Sequence, residues 1–168
     1  MARRIVVVGA GIAGLATAVA LQRRGHEVAV IEERTDTSSG AGISFWPNAL
    51  AALDEIGIGE AVRAAGGRVT AGALRWRDGS WLRRPARERL VRALGEKLVL
   101  IRRSALAKVL ADALAGGTVH TGLSARELVT TADGVRITLS DSTTRESAGG
   151  PPSSADSPAG RPCWCPQR

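Results

Sequence analysis

The feature that most constrains this chain is a hexapeptide near its start, Gly9-Ala10-Gly11-Ile12-Ala13-Gly14, set between two apolar stretches of different period. Before it, Ile5 to Val8 is a run of β-branched residues, too short for a helix and apolar on both faces, as a buried parallel strand requires. After it, Ala13, Ala16 and Ala20 stand beside Leu15, Val19 and Leu21 in a segment ending near Arg24. That is the pattern of a helix able to pack closely on a sheet, and Gly25 stops it. Val28 to Glu32 reads as a second strand. The whole is a βαβ unit, whose crossover is expected to be right-handed.

A glycine-rich turn that follows a buried strand and opens a helix, with an acid closing the next strand 23 residues after Gly9, has a specific chemistry. Gly9 makes the tight turn, Gly11 lets the backbone approach a dinucleotide pyrophosphate, and Gly14 allows close helix–strand packing. The helix N-terminus presents unpaired N–H groups and a positive dipole end to phosphates. Glu32 would accept hydrogen bonds from both ribose hydroxyls and repel a 2′-phosphate, so FAD or NAD fits better than NADP. The plainer reading of Glu32 is a strand-end carboxylate facing solvent. Arg3-Arg4 ahead of an apolar run also imitates a secretory leader, but a leader gives no reason for the glycine spacing or the acid-ended second strand.

Thr35 to Ser44 is polar and glycine-rich, hence a loop, and Pro47 suits the first position of a helix carrying Leu50, Leu53 and Ile56. Gly57 ends it, with Ile58 as the apolar contact of a Schellman cap, and a short helical turn covers Glu60 to Ala65. Leu74 to Leu82 reads as a hairpin with Asp78-Gly79 as a two-residue type I′ turn, which sets Trp76 opposite Trp81 as a cross-strand core pair. Ser104 is the expected N-cap of a helix with Leu106, Val109, Leu110, Ala113 and Leu114, stopped by Gly116-Gly117. Thr118 to His120 returns as a strand, and Glu127 to Thr131 and Val135 to Leu139 form a second hairpin around Asp133-Gly134. From Ser140 onward no Val, Leu, Ile, Met or Phe occurs, so residues 141–168 are expected to be a disordered tail.

Composition supports one α/β domain. Hydrophobic residues make up 44% of 168, with one Phe and no Tyr, so the core must be aliphatic, which suits helices on a sheet. The net charge of +7 is nearly all arginine, and Arg75, Arg77, Arg83, Arg84, Arg87, Arg89 and Arg92 cluster. Such a patch could make the chain a non-catalytic basic binding module. A solvated face explains it better, because Phe and Tyr for base stacking are not interleaved. Neither nucleic acid nor membrane is therefore an expected partner, and nothing specifies an oligomeric state. Cys163 and Cys165 form neither a disulfide framework nor a zinc pattern, so no metal is expected and a cytoplasmic location is.

The run Gly9 to Leu15, with Arg24-Gly25-His26 and Val28 to Glu32 after it, resembles the opening of class A flavoprotein monooxygenases, the para-hydroxybenzoate hydroxylase-like family. Two later segments sharpen the likeness. Gly40-Ala41-Gly42-Ile43 followed by Pro47-Asn48-Ala49-Leu50 looks like the family's Gly-Ala-Gly-Ile segment and its Pro-Asn-Ala-Leu helix start, and Arg103-Ser104-Ala105-Leu106 looks like its Arg-x-x-Leu motif. The resemblance implies a Rossmann-like FAD-binding domain over residues 1–140, incomplete at the C-terminus. A β-hairpin at about 70–84 begins the substrate-domain region, and a meander follows. It implies FAD as cofactor, with Gly9, Ala10, Gly11, Ile12, Ala13 and Gly14 on the pyrophosphate and Glu32 on the adenosine ribose. Arg103 would reach the ribityl or phosphate region, and the backbone near Ala125 would lie by the adenine.

There are departures. Gly40 stands where some relatives carry an arginine, and Glu33 where many place a basic residue, for which Arg34 can compensate. Arg103 can also be read as a surface arginine before a helix cap. Enzymes of the family take hydride from NAD(P)H, react with O₂ and hydroxylate an activated, commonly aromatic substrate. Their strand ending in Gly-Ala-Asp-Gly and their later Gly-Asp segment do not appear here; Thr131-Ala132-Asp133-Gly134 is a hairpin turn. The expectation is the FAD-binding portion of such an enzyme, truncated or frameshifted and inactive alone. The rival enzyme reading, an NAD-dependent dehydrogenase or another FAD oxidoreductase, leaves the Gly40–Leu50 and Arg103–Leu106 segments unexplained.

Overall fold

The computed structural model describes residues 2–36, 40–69, 73–83, 98–132 and 134–148, with positions 88, 89, 92 and 95. Arg84, Arg87, Asp133, Cys163 and Cys165 lie outside the described residues. The βαβ unit forms as its pattern requires: β1 (Arg4–Val8), α1 (Ile12–Arg23) and β2 (Glu27–Glu32), with β1 and β2 parallel from Arg4↔Glu27 to Val8↔Ile31. A Schellman cap ends α1: Gly25 takes φ +79° and its N–H donates to the Gln22 carbonyl at 2.9 Å, while the His26 N–H donates to Leu21 at 3.1 Å.

The segment expected as a loop contains a strand. β3 (Gly42–Phe45) pairs antiparallel with β7 (Leu98–Arg102), which also pairs with β4 (Gly67–Val69). Ile43 and Phe45 alternate with Gly42 and Ser44, a run too short to announce itself without its distant partner. The helix α2 (Pro47–Glu55) starts on Pro47 and ends in a second Schellman cap, where Gly57 at φ +66° donates to Asp54 at 2.8 Å and Ile58 to Leu53 at 3.0 Å. It is followed by α3 (Gly59–Ala65), whose Arg63 grips Asp54 through bonds of 2.6 and 2.7 Å and holds that carboxyl below the usual carboxylate range.

The first hairpin, β5 (Leu74–Arg75) and β6 (Trp81–Arg83), departs from its expected turn. Its loop has three residues: the Trp76 N–H donates to Ser80 at 2.8 Å, and Gly79 closes the turn at φ +87°. A type I′ turn needs a positive φ at Asp78, and among the described non-glycine residues only Ser142 has one. The register therefore places Arg75, not Trp76, opposite Trp81, and the Arg75 guanidinium lies 3.8 Å from the Trp81 ring centroid. Trp76 and Trp81 are 55% and 45% exposed, so they are not a core pair.

The last helix, α4 (Arg103–Asp112), begins one residue before Ser104. Its N-cap is Arg102, because β7 runs straight into it, and no side chain caps it. β8 (Val119–Thr121) then pairs parallel with β2, giving the order β1-β2-β8 with β2 central. β9 (Ala125–Thr131) and β10 (Gly134–Leu139) form the expected hairpin with Thr131 opposite Gly134. The meander does not stop at Leu139. β11 (Thr144–Ala148) pairs antiparallel with β10, so the predicted tail opens with an ordered strand. Edge pairing, an Arg136–Glu146 ion pair of 2.8 Å and a bond of 2.8 Å from Ser147 Oγ to the Arg4 carbonyl hold it, without any Val, Leu, Ile, Met or Phe. The rest of that tail, 149–168, lies outside the described residues.

The parallel sheet divides two apolar clusters. Val28 and Val30 face the helices, where Leu15, Val19, Leu50, Val62, Leu106 and Leu110 are buried. Ile31 faces the meander and packs with Ile137 and Leu139. Among the described residues no strand pairs with the outer edge of β1, although β11 packs against its start through Ser147, and Val8 at its end is 56% exposed. None of the described helices is long and apolar enough to cross a membrane.

Leu106 and Leu110 are fully buried and anchor α4 to the larger cluster. Leu110→Ala should cost about 2–5 kcal/mol of stability, read as a lowered urea midpoint with an unchanged slope.

Candidate functional site

The end of β1, the end of β2 and the start of α4 converge on one cleft. Its floor is the glycine turn. Gly9 takes φ +102°, a conformation that disfavours any side chain, and its N–H donates to the Ile31 carbonyl at 2.7 Å, tying the turn to β2. A Cβ on Gly14 would overlap the Gly9 carbonyl oxygen and lie 3.5 Å from Val7 Cγ1, so α1 can approach β1 this closely only with glycine there. A Cβ on Gly11 would meet nothing within 4 Å. Gly11 is also the N-cap of α1 and offers no side chain to its first turn, whose N–H groups have no partner within the helix.

Glu32 closes β2 and is fastened from two sides. Its Oε2 accepts the Ala10 N–H at 2.7 Å and its Oε1 accepts the Arg34 N–H at 2.9 Å. A carboxylate has acceptor capacity for about four hydrogen bonds, so two backbone donors fix Glu32 and leave lone pairs for a ligand. Arg103, the first residue of α4, is set by a bond of 3.1 Å from its N–H to the Ala41 carbonyl.

Together these elements enclose about 130 Å³, lined by Ala10, Gly11 and Ile12 from the turn, Glu32 and Arg34 after β2, and Arg103 from α4. Asp36 and Ala107 complete the wall. The cleft continues past Ala10, Asp36 and Ala107 into a wider groove of about 450 Å³ that also touches Leu15, Lys108 and Val119. The side chains of Arg34 and Arg103 have no hydrogen-bond or ion-pair partner among the described residues. Two guanidinium groups, two carboxylates and the open end of a helix dipole thus surround one space, an arrangement that takes anionic oxygens at one place and hydroxyl donors at another.

Six of the ten residues expected at a nucleotide site line this cleft, while Gly9 and Gly14 shape its floor from behind. Ala13 is exposed on the first turn of α1. Ala125 is elsewhere: it opens β9 and packs against the Ile31, Ile137 and Leu139 cluster. The nearest link from its neighbourhood is the Leu123 N–H, which donates to the Glu32 carbonyl at 3.0 Å. Sequence reasoning missed Asp36 and Ala107. Ala107 stands four residues after Arg103 on the same helix face, a spacing that could have flagged it. No group of three or more potential metal ligands occurs among the described residues.

Residues 4–54 match the family described as FAD dependent oxidoreductase. The chain is 35% identical over 146 residues to 3-amino-4-hydroxybenzoate 2-monooxygenase PtmB3 of Streptomyces platensis, covering 85% of this chain and 37% of that protein. It is 44% identical over 80 residues to 3-hydroxybenzoate 6-hydroxylase 1 of Aquipseudomonas alcaligenes, covering 47% of this chain and 20% of that one. Among solved structures, HpxO of Klebsiella pneumoniae complexed with FAD and uric acid superposes with a TM-score of 0.76 at 26% identity, covering 86% of this chain and 37% of that chain. The glycine turn and the acid-ended second strand thus lie in the segment that matches the FAD dependent oxidoreductase family, and the relatives are flavin monooxygenases of which the chain spans only 20–37% of the length.

Proposed function

We propose that this chain holds the ADP half of FAD in the cleft between the glycine turn, Glu32 and Arg103, as the nucleotide grip of a monooxygenase acting on a small aromatic substrate with NAD(P)H. The observation that carries the reading is the unobstructed backbone at Gly11, at the open end of α1, beside a fixed carboxylate and two guanidinium groups without a partner among the described residues. In this reading the pyrophosphate meets the first-turn N–H groups of α1, and Glu32 accepts from the adenosine ribose hydroxyls. Arg34 and Arg103 supply the countercharge. Bound flavin would carry electrons from NAD(P)H to O₂ and so supply the hydroxylating chemistry. The residues of this chain bind, orient and neutralise charge. A cytoplasmic location fits a composition with two cysteines and no disulfide framework.

Magnitudes bear on how firmly the cofactor is held. Hydrogen bonds to charged groups contribute about 1.5–3 kcal/mol each, against at least about 4 kcal/mol for the lost freedom of the ligand. Three or four such bonds give weak binding. The chain spans 37% of the relatives' length, and the segments that resemblance assigns to the flavin side are not in its sequence. ADP and FAD should therefore bind with similar, modest affinity in parallel calorimetric titrations, FMN should not bind, and NADPH oxidation should stay at the rate of free flavin. NAD binding more tightly than FAD or ADP would overturn the flavoprotein reading.

Two glycine substitutions separate binding from folding. Gly11→Ala should weaken ADP at least about tenfold, or 1.4 kcal/mol, while costing the fold less than about 1 kcal/mol. Gly14→Ala should instead destabilise by about 1–3 kcal/mol, seen in thermal melts without ligand. Unaltered ADP binding by Gly11→Ala would contradict the placement of the pyrophosphate.

A further inference from the structure

Arg103 is a long, flexible side chain on an exposed helix start, and such a group loses much rotamer freedom when a ligand fixes it. What limits that freedom here is a slot in the neighbouring backbone. Gly40 has φ +155°, and a Cβ built on it would lie 2.8 Å from Arg103 Cδ, 2.9 Å from Arg103 Cβ and 3.3 Å from Arg103 Cγ. The arginine stem thus lies directly across the bare Gly40 backbone. The two segments cannot drift apart to make room, because the Arg103 N–H donates to the Ala41 carbonyl at 3.1 Å and Gly42 pairs with Arg102 in the β3–β7 ladder. Arg103 Cβ is fixed to that backbone, so any side chain at position 40 must displace the arm or strain the strand pair.

We propose that Gly40 is a positioning residue: its missing side chain is the slot that lays the Arg103 stem along the cleft wall and holds the guanidinium ready for the ligand's phosphates. The inference rests on the reading of the cleft as a site for the ADP half of a dinucleotide, and extends it to a residue outside the cleft lining. It has a chemical signature. A guanidinium that meets phosphate contributes to ADP binding and nothing to adenosine binding, whereas general damage to the fold lowers both.

The test is a double-mutant cycle of Gly40→Ala and Arg103→Ala in the full chain, with ADP and adenosine titrated by NMR shift changes and each variant's melting temperature recorded. Arg103→Ala should weaken ADP about tenfold and leave adenosine within twofold. Gly40→Ala should reproduce that pattern, and the double variant should bind ADP no worse than Arg103→Ala alone. If Gly40→Ala lowers ADP and adenosine equally, or leaves ADP unchanged while Arg103→Ala weakens it, the slot inference fails and the cleft reading stands. If Arg103→Ala leaves ADP binding intact, the assigned role of Arg103 fails and the slot falls with it. Should Gly40→Ala not fold, ¹⁵N relaxation of the Arg103 Nε–H in the native chain decides: restriction approaching that of the backbone supports the slot, and mobility equal to that of the exposed Arg102 side chain overturns the proposal.

Discussion

The contact between α1 and the carbonyl of Gly9 is the constraint from which the rest of the site follows. With a hydrogen in place of a side chain at Gly14, the helix lies against the end of β1, and its open N-terminus points out at the level where β2 ends. The Gly9 N–H bonded to Ile31 and the Ala10 N–H bonded to Glu32 then lock the turn to the second strand. A methyl group at position 14 would undo the helix position, the turn and the reach of Glu32 together.

Around that contact the chain builds two unequal halves. The helices α1, α2 and α4 bury the larger aliphatic cluster on one face of the parallel sheet, and the antiparallel meander covers the other face through Ile31, Ile137 and Leu139. The consequence for the site is rigidity from both sides: β2 is the central strand, and Glu32 sits at its end. Arg103 enters by a different route, at the junction where β7 runs into α4, so the charged wall of the cleft depends on the β3–β7 pairing rather than on the glycine turn.

The parts that were legible in the sequence are those whose signal is local. The glycine turn and both Schellman caps have short signatures, and so does the aliphatic period of α1. What failed was non-local or depended on backbone detail. β3 is four residues long and is defined by a partner some 60 positions away. The hairpin at Gly79 used a three-residue loop, which moved Trp81 from Trp76 to Arg75. β11 has no aliphatic residue larger than Ala148 and is held by backbone pairing and charge, which hydrophobic pattern does not register. At the site, the motif named the residues on the turn and at the strand end, but the wall formed by Asp36 and Ala107 exists only once α4 lies beside the loop after β2.

The central claim is that one cleft, made by the turn, Glu32 and Arg103, receives the ADP half of the cofactor. Amide hydrogen exchange with and without saturating ADP tests it most directly. The account predicts slowed exchange at residues 10–15, 32–36 and 103–107, with β9, β10 and β11 unchanged. Protection centred on the meander, or spread evenly over the chain, would contradict it.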